Sequence, residues 1–397
     1  MRKTLFSLCL TLLATVLMAQ EETTPWQYFH EHGNYISTGM ANLIIAPDAV
    51  SSALGDAGVA SEPDANSSHW NNAKYAFAQS PYGITTTYTP WLRKLGVNDM
   101  KLLYLSGYGK INNRSALAAS LIFFSLGETQ HTSEDGTVLG QFNPNEFAAD
   151  ITYAMKLSDN LSLGATGRFI RSDLTQGMSI GATTTKPATA LSADIGLYYQ
   201  TAIDQNQTFA AGLHISNLGS KLRYSDDDTE SEFLPANLRL GARYTLLPDK
   251  YNKISFLFDI NKLLVPTPPL FDEDGNPLGN SPYTSLSDYR MTGSIQGAIN
   301  SFFDAPLGIR EELSECTLSA VAEYWYQETF AGRIGYFFEP NTKGGRQYLT
   351  LGIGLKYNIF DIDFSYLLPT KALSQSPLAN TIRISLTANL GKKNKFY

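Results

Sequence analysis

The residue pattern best suited to chemistry in this sequence is Gly177-Met178-Ser179-Ile180-Gly181. Its G-x-S-x-G spacing is typical of a nucleophile elbow, in which a turn between a strand and a helix exposes a serine hydroxyl for acyl transfer. The residues that follow, Thr183-Thr184-Thr185-Lys186-Pro187, are a poor start for a helix. We therefore interpret the motif as part of a loop and predict that the chain is not an enzyme.

Metal sites have weaker support in the sequence. The run Asp272-Glu273-Asp274-Gly275-Asn276 begins like a calcium loop but lacks the glycine spacing and the closing Glu of an EF-hand, so a turn is the preferred interpretation. Asp226-Asp227-Asp228, with Glu230, is typical of a solvated acidic loop, and weak binding of divalent cations is the alternative. The histidines show no ligand cluster: they are His30, His32, His69, His131 and His214. We predict no metal and no cofactor.

The regular elements that the sequence predicts are β-strands. Leu349, Leu351 and Ile353 alternate with Thr350, Gly352 and Gly354, so one face is apolar and the other polar. About fourteen such segments of roughly ten residues follow one another, which predicts an all-β fold, an outer-membrane antiparallel β-barrel. They lie near residues 82–90, 101–109, 115–124, 146–155, 161–170, 190–199, 208–217, 235–246, 254–263, 316–326, 329–339, 347–357, 360–366 and 380–390.

The N-terminus and the composition agree with this compartment. Residues 1–19 have the basic start, apolar run and small-residue end of a secretory signal peptide. Later in the sequence no apolar stretch approaches the ~20 residues of a spanning helix, so the strands are expected to cross the membrane. The 12% aromatic content can furnish interfacial girdles, and the net charge of −7 argues against nucleic acid. Since Cys9 lies in the leader, Cys316 has no disulfide partner. A secreted soluble β-sandwich is the alternative.

Connection lengths predict the orientation of the barrel. Every second connection is short, as at residues 110–114, 156–160, 327–328 and 358–359, and the others are longer and rich in Gly, Pro, Ser, Thr and Asp. Barrels of this membrane have short periplasmic turns and long outer loops. We therefore expect both termini in the periplasm, the long loops outside, and outer-membrane lipid and lipopolysaccharide around the wall.

Two regions do not read as barrel wall. Residues 20–80 are punctuated by Gly, Pro, Asp and Asn and are expected to fold into the lumen as a hatch or plug, with a mobile periplasmic tail as the alternative. The loop Val265–Glu315 is long enough to suggest a function. Its residues Ile295, Ile299, Phe302 and Phe303 have helical spacing, which predicts a short helix that stops near Pro306. Residues 81–391 then form the barrel, and 392–397 a short tail.

Charged residues on the polar phase of the strands have two interpretations. They could line an aqueous pore, or they could pair across the lumen and with the hatch. Pairing is preferred, because buried charges are tolerated only when matched. These residues are Asp150, Asp194, Asp259, Asp361, Asp363, Arg168, Arg239, Arg243 and Arg383.

The segment before the first strand also carries a family resemblance. Residues 53–60, 64–66 and 69–73 resemble the N-terminal hatch of the FadL-like outer-membrane barrels. More narrowly, residues 43–49, 69–77, 88–92, 104–108 and 300–306 resemble the PorV-like components of the type IX secretion system of Bacteroidetes. Asn72 departs from the wider hatch pattern, which has proline there. The candidate hatch residues are Pro47, Asp48, Gly55, Asp56, Trp70 and Asn71.

The resemblance implies a fourteen-stranded barrel that does no chemistry. PorV-like proteins collect secreted cargo as it leaves the large outer-membrane translocon and carry it to a sortase-like surface attachment complex. They recognise the cargo by its C-terminal β-sandwich domain. The candidate contacts are aromatic residues of the long loop that we expect to be exposed: Phe271, Tyr283, Phe302 and Phe303. The alternative is a FadL-like channel for the uptake of hydrophobic small molecules, and fold alone does not choose between them.

Overall fold

The computed structural model describes a closed barrel of fourteen antiparallel strands, joined between its first and last strands. It describes residues 29, 33–93, 96–97, 99–132, 137–177, 179–180, 183–226, 231–271, 277, 279, 281–370 and 380–391. The barrel strands are β1 (Tyr82–Pro90), β2 (Lys101–Lys110), β3 (Ser115–Ser125), β6 (Asn145–Lys156), β7 (Leu161–Asp173), β10 (Ala188–Asp204), β11 (Gln207–Gly219), β12 (Asn237–Leu246), β13 (Asn252–Leu263), β14 (Cys316–Tyr326), β15 (Phe330–Phe338), β16 (Gln347–Tyr357), β17 (Phe360–Pro369) and β18 (Ile382–Leu390). Each of the fourteen strands expected from the sequence is present.

Four further strands form two small hairpins that the alternation did not indicate. Thr129–Thr132 (β4) pairs with Val138–Phe142 (β5), and Ser179–Ile180 (β8) pairs with Thr183–Thr184 (β9). Both hairpins lie in long connections, outside the barrel sheet. Strands this short carry too few residues for a periodic signal.

The two faces of the wall reverse the usual distribution of polarity. In β1, Thr85, Thr87 and Thr89 are buried, whereas Ile84 and Tyr88 on the opposite face are exposed. Successive side chains of a strand point to opposite faces, so the buried threonines face the lumen and the exposed apolar residues face outward. An apolar exterior and a polar interior are the pattern of a barrel that spans a bilayer.

Long and short connections lie at opposite ends of the barrel, as the sequence predicts. The short turns are residues 111–114, 157–160, 205–206, 247–251, 327–329 and 358–359. The long connections are residues 91–100, 126–144, 174–187, 220–236, 264–315, 339–346 and 370–381. We call these two ends the short-turn end and the long-loop end.

The N-terminal segment, residues 33–80, is threaded through the barrel. The Asn34 N–H donates to Thr342 O (3.0 Å) in a connection of the long-loop end. Further along the segment, Glu62 contacts Lys253, which follows a short turn, and Pro81 accepts from the Lys110 N–H at the short-turn end (2.8 Å). The expectation that both termini lie in the periplasm concerns residues outside the described ranges, but the described start and end of the chain lie at different mouths of the barrel. Residue 34 is at the mouth that carries the long loops, and β18 ends at the opposite mouth.

Short helices organise this segment and the loop 264–315, which we call the large loop. In the N-terminal segment they are the 3₁₀ helices Ala41–Ile44 and Asn72–Phe77 and the α-helices Ala49–Ala53 and Ser67–Trp70. The large loop contains Leu286–Met291, Ser294–Asn300 and Ile309–Ser314, and a 3₁₀ helix Asn341–Lys343 lies in another long connection. The helix expected around Ile295 is present, but it ends at Asn300 rather than near Pro306. Among the described helices none is both long and apolar enough to cross a bilayer.

The threading leads to a labelling prediction. In a Cys316→Ser background, we expect Tyr35→Cys and Ser287→Cys to react with an impermeant maleimide in intact cells, and Asp159→Cys to react only after the outer membrane is opened. Tyr35 is 56% exposed and lies near the long-loop end, while Asp159 is in a short turn. An unreactive Tyr35→Cys beside a reactive Ser287→Cys would contradict the path of the segment. Labelling of Asp159→Cys but not of Ser287→Cys in intact cells would contradict the orientation of the barrel in the membrane.

Candidate functional site

The serine motif found in the sequence does not have the geometry of a nucleophile elbow. Ser179–Ile180 is a strand that pairs with Thr183–Thr184 in a small hairpin, whereas an elbow needs a helix after its turn. Met178 and Gly181 lie outside the described residues, as do Asp227, Asp228, Glu230 and the run 272–276. Within the described part of the chain, no group of three or more His, Cys, Asp and Glu side chains could hold a metal ion.

The centre of the N-terminal segment is a buried contact between Asp48 and Trp70. Asp48 caps the helix Ala49–Ala53 by accepting from the Ser51 N–H (2.7 Å), which satisfies one of the free donors of its first turn. Its other oxygen accepts from the Trp70 indole N–H (2.7 Å). The Arg239 guanidinium of the wall lies 4.9 Å from the Trp70 ring centroid. Pro47 and Asp48 are buried beside one another, so this contact holds the cap, the indole and the wall together.

Gly55 and Asp56 form a sharp bend against the wall. Gly55 has a φ of +61°, and a Cβ there would meet the Tyr336 backbone nitrogen at 3.0 Å. Its N–H donates to the Thr350 hydroxyl (3.0 Å). The Asp56 carboxylate accepts from the Tyr348 hydroxyl. Glycine is needed at this position both for the backbone conformation and for the close approach of the two chains.

Asn71 and Asn72 attach the next part of the N-terminal segment to the wall. The Asn71 amide donates to Leu197 O (2.9 Å) of the wall, and its side-chain oxygen caps the 3₁₀ helix by accepting from the Ala73 N–H (3.1 Å). Asn72 stands where the wider hatch pattern has proline, and its amide donates to the Thr166 hydroxyl of β7 (2.8 Å). The departure from the pattern therefore adds a contact to the wall.

The charged residues of the lumen pair as the sequence analysis preferred. Arg168 lies between Asp150 (3.1 Å) and Asp194 (2.8 Å), and all three side chains are buried. Asp259 accepts the N–H groups of Gly58 (2.8 Å) and Val59 (3.0 Å) in the N-terminal segment. Thus Arg168 pairs with two aspartates of the wall, whereas Asp259 binds the backbone of the segment and Asp361 accepts from the Asn389 amide of β18 (2.9 Å).

Three of the arginines continue this pattern. The Arg239 guanidinium donates to His69 O (2.6 Å), and Arg383 donates to Ala46 O (2.9 Å) and the Ser52 hydroxyl (2.7 Å). Arg243 lies 3.4 Å from Glu62, a residue of the segment that is also bonded to Lys253 (2.9 Å). These contacts tie the segment to strands on several sides of the barrel.

The second buried arginine network was missed in the sequence. Arg333 pairs with Glu323 (2.8 Å) and Asp363 (2.7 Å), and only Asp363 was singled out beforehand. Glu323 and Arg333 are direct cross-strand neighbours on β14 and β15. Glu323 and Arg333 are spaced equally from the three-residue turn 327–329 and carry opposite charges on the polar phase. The two-residue turn Gln327-Glu328 expected from the sequence places Gly332 opposite Glu323 instead, so this pair was not indicated.

A cavity of about 320 Å³ lies at the short-turn end, between the N-terminal segment and the wall. Its lining includes Glu62 and Gln79 of the segment and Arg243, Trp325 and Lys356 of the strands. Charges of both signs and polar groups surround it. Apolar ligands bind best in pockets lined mainly by apolar and aromatic side chains, so this cavity does not suit a hydrophobic solute.

The large loop is held at the long-loop end by buried ion pairs. Lys262 binds Glu312 (3.0 Å) and Glu315 (2.6 Å), and Lys343 binds Glu311 (2.7 Å) and Glu315 (2.9 Å). Asn34 of the N-terminal segment also donates to Glu311 (3.0 Å). The large loop, the segment and the rim of the barrel are therefore one connected structure.

The aromatic residues proposed for the large loop differ in exposure. Phe303 is 84% exposed and Phe302 is 40% exposed, whereas Phe271 is half-buried. The expectation of an exposed Tyr283 is wrong, because its side chain is only 3% exposed. Tyr283 packs in an apolar cluster with Phe233, Val265 and Tyr289. Val265 and Tyr289 belong to the large loop, whereas Phe233 comes from the connection 220–236.

Asp304 lies beneath Tyr283 and stabilises the fold of the large loop. Its carboxyl accepts from the Thr267 N–H (3.1 Å) and from the Tyr283 hydroxyl (3.3 Å). Burial, together with the nearby carboxylates of Glu315 and Glu312, raises the pKa of Asp304 to about 7. Both protonation states of this carboxyl are therefore populated near neutral pH.

The fold first defines the class of the protein, a closed fourteen-stranded antiparallel barrel with an apolar outer face and a polar lumen. The toluene transporter TodX of Pseudomonas putida matches it with a TM-score of 0.50 at 12% identity, over 86% of this chain and 98% of TodX. The toluene transporter TbuX of Ralstonia pickettii has a TM-score of 0.47 at 12% identity over 87% and 97%, and a FadL homologue of Pseudomonas aeruginosa has 0.41 at 12% over 90% and 99%.

The family is narrower than the class. Residues 29–270 match the family described as type IX secretion system protein PorV, and the chain belongs to this family. No curated protein matches the chain in sequence. The chain is thus a type IX secretion system component with the fold of a fourteen-stranded barrel.

Proposed function

We propose that the protein is an integral outer-membrane shuttle of the type IX secretion system. It binds the C-terminal β-sandwich domain of cargo that leaves the translocon and delivers the cargo to the sortase-like attachment complex at the cell surface. The observation that carries this proposal is the occupied lumen. An uptake channel would also contain a hatch, so what favours a carrier is that the filled lumen is lined by paired charges and polar groups and offers a hydrophobic solute no apolar path.

The contacts of the N-terminal segment support its role as a hatch. Asp48 and Trp70 bind each other, Trp70 and Asn71 contact Arg239 and Leu197 of the wall, and the backbone of the segment is held by Asp259 and Arg383. A solute channel needs a continuous path, and a hydrophobic solute needs apolar lining along it. The polar, paired interior favours the shuttle over the uptake channel.

The cargo contacts are proposed for the long-loop end. Phe302 and Phe303 stand exposed on the large loop, and Phe271 is half-buried on the same loop. Large aromatic side chains in the centre of an interface carry much of its binding energy. Lys262, Lys343 and their glutamate partners give the large loop a fixed base, so binding does not have to order the whole loop.

Deletion of the gene tests the shuttle directly. We expect proteins with the C-terminal secretion domain to accumulate unprocessed in the periplasm, while uptake of long-chain fatty acids continues, because the barrel lumen is not a solute path. The measurements are immunoblots of fractionated cells and the uptake of a labelled fatty acid. Normal surface display of cargo with impaired uptake would decide for the channel.

A paired substitution tests the surface. Phe302→Ser with Phe303→Ser should lower cargo capture at least several-fold, with barrel abundance unchanged, because the two rings lie outside the strands. The matched control is Tyr357→Ser, which removes an aromatic side chain that is 78% exposed at the short-turn end. If the Phe302→Ser, Phe303→Ser variant captured as much cargo as the Tyr357→Ser control, the two rings would not be part of the cargo-binding surface.

A further inference from the structure

One helix of the large loop packs on the outside of the barrel wall. Ala298, in the helix Ser294–Asn300, forms an apolar cluster with Ala236 and Leu264, and Ile215 and Leu238 pack against this cluster. Ile215 and Leu238 are cross-strand partners on β11 and β12. The helix therefore covers a pair of wall residues rather than the mouth of the barrel.

These two wall residues belong to the outward face. Their neighbours along the strands, His214 and Arg239, are buried in the lumen, and successive residues of a strand point to opposite faces. Leu240, two residues further along β12 on the same face as Leu238, is 44% exposed. Leu238 and Ile215 belong to the same outward apolar band as Leu240, but they are half-buried rather than exposed because the helix covers them.

The helix presents a second apolar face to its surroundings. Gly297 and Ala298 are buried on the side of the protein, where a Cβ at Gly297 would meet Pro266 at 2.8 Å. Ile295 and Ile299, four residues apart and so on one face, are exposed by 67% and 57%. These two exposed isoleucines belong to a helix that packs on the outward-facing residues Ile215 and Leu238, so they extend the apolar outer surface of the protein at this place.

We propose that the helix Ser294–Asn300 lies in the outer leaflet of the membrane, with Ile295 and Ile299 among the lipid acyl chains. An interfacial helix binds lipid through such an apolar face, with its backbone bonds satisfied internally. Lipid is the occupant because the face continues the surface that the barrel presents to the bilayer. This contact is separate from cargo binding and holds whether or not the protein is a shuttle.

The contact fixes the large loop to the membrane plane. A loop anchored on the lipid side at Ile295 and Ile299 and on the rim by Lys262 has two points of attachment. The lateral anchor would keep the large loop from lifting away from the wall when cargo is loaded or released. The same anchor would place the large loop where another membrane protein beside the barrel could contact it.

Spin labels on the full chain in nanodiscs of dimyristoyl phosphatidylcholine test the proposal. In a Cys316→Ser background, labels at Ile295→Cys and Ile299→Cys should show a ratio of oxygen to nickel-chelate collisions several-fold higher than a label at Ser287→Cys. That ratio should approach the value at Leu240→Cys, the reference for lipid exposure. Gln296→Cys, on the same helix but beside Asn300 on its polar edge, is the matched control and should behave like Ser287→Cys.

The outcomes are distinct because the sample contains only this chain and lipid. Water-like ratios at both isoleucines, with the barrel intact by its heat-shifted gel mobility, would overturn the proposal. Water-like ratios in nanodiscs together with protection in native outer membrane would identify a protein neighbour as the occupant and would overturn it equally. Lipid-like ratios at Gln296→Cys as well would show burial of the whole helix in the bilayer, which contradicts a helix seated on the wall.

Discussion

Arg168→Met is expected to destabilise the barrel by about 3–5 kcal/mol, the usual effect of removing one partner from a buried ionic group. Arg168 lies between Asp150 and Asp194, and its removal leaves two buried carboxylates without a cation. Hydrogen bonds from Ser68 and Ser120 to Asp150 remain, but they do not neutralise the charge. The measurement is the free energy of unfolding in urea, in detergent micelles or lipid vesicles.

The triple variant Arg168→Met, Asp150→Asn, Asp194→Asn is the control for this prediction. It removes the same guanidinium without leaving charge behind, and it should recover most of the lost stability. Equal stability of the single and triple variants would show that the loss comes from packing and not from the unpaired carboxylates. An unchanged single variant would show that the lumen is hydrated enough to solvate both aspartates.

Trp70→Ala is expected to open the lumen. The Trp70 side chain is fully enclosed, and truncation of a buried Trp costs about 3–5 kcal/mol through lost burial and the cavity that remains. It also removes the indole partner of Asp48 and the ring that Arg239 covers. We therefore expect frequent ion-conducting openings of single barrels in planar bilayers, where the unaltered protein should be closed nearly all the time.

Trp70→Phe separates the two contributions of the indole. It keeps most of the ring packing but loses the N–H that binds Asp48, so its open fraction should lie between those of the unaltered protein and Trp70→Ala. Closed barrels for both variants, with normal folding, would contradict the hatch. Unfolding of Trp70→Ala alone would leave Trp70→Phe to decide between closed and open states.

The wall of the barrel was predictable because its signal repeats with a period of two. Each strand needs only that apolar residues face lipid and polar residues face the lumen, and Leu349 to Tyr357 show this without reference to any other strand. Connection lengths then fixed which ends of the strands share a mouth. The same phase placed Arg168, Asp150 and Asp194 on the inner face, and pairing was the preferred interpretation, but the sequence did not indicate which of the charges would pair.

The interior and the large loop were less predictable, because their contacts join residues far apart in sequence. Nothing local to Tyr283 indicates that Phe233 and Val265 cover it, and nothing local to Asn34 places it beside Thr342. The helix expected to reach Pro306 ends at Asn300. Glu62, which joins the segment to Lys253 and Arg243, had no recognisable motif in the sequence.

The path of the N-terminal segment also constrains the order of assembly. The segment precedes β1 in the chain, yet β18, the last strand made, supplies Arg383 and Ser385 to its backbone at Ala46 and Ala49. β1 and β18 are also the strands whose pairing closes the wall. We expect the segment to lie inside the curved, unfinished sheet before this seam forms, because its start and its end lie at opposite mouths and later insertion would have to pass the free end through a finished, filled barrel. On this order of assembly, the N-terminal segment serves as a template on which the last strand, β18, is positioned.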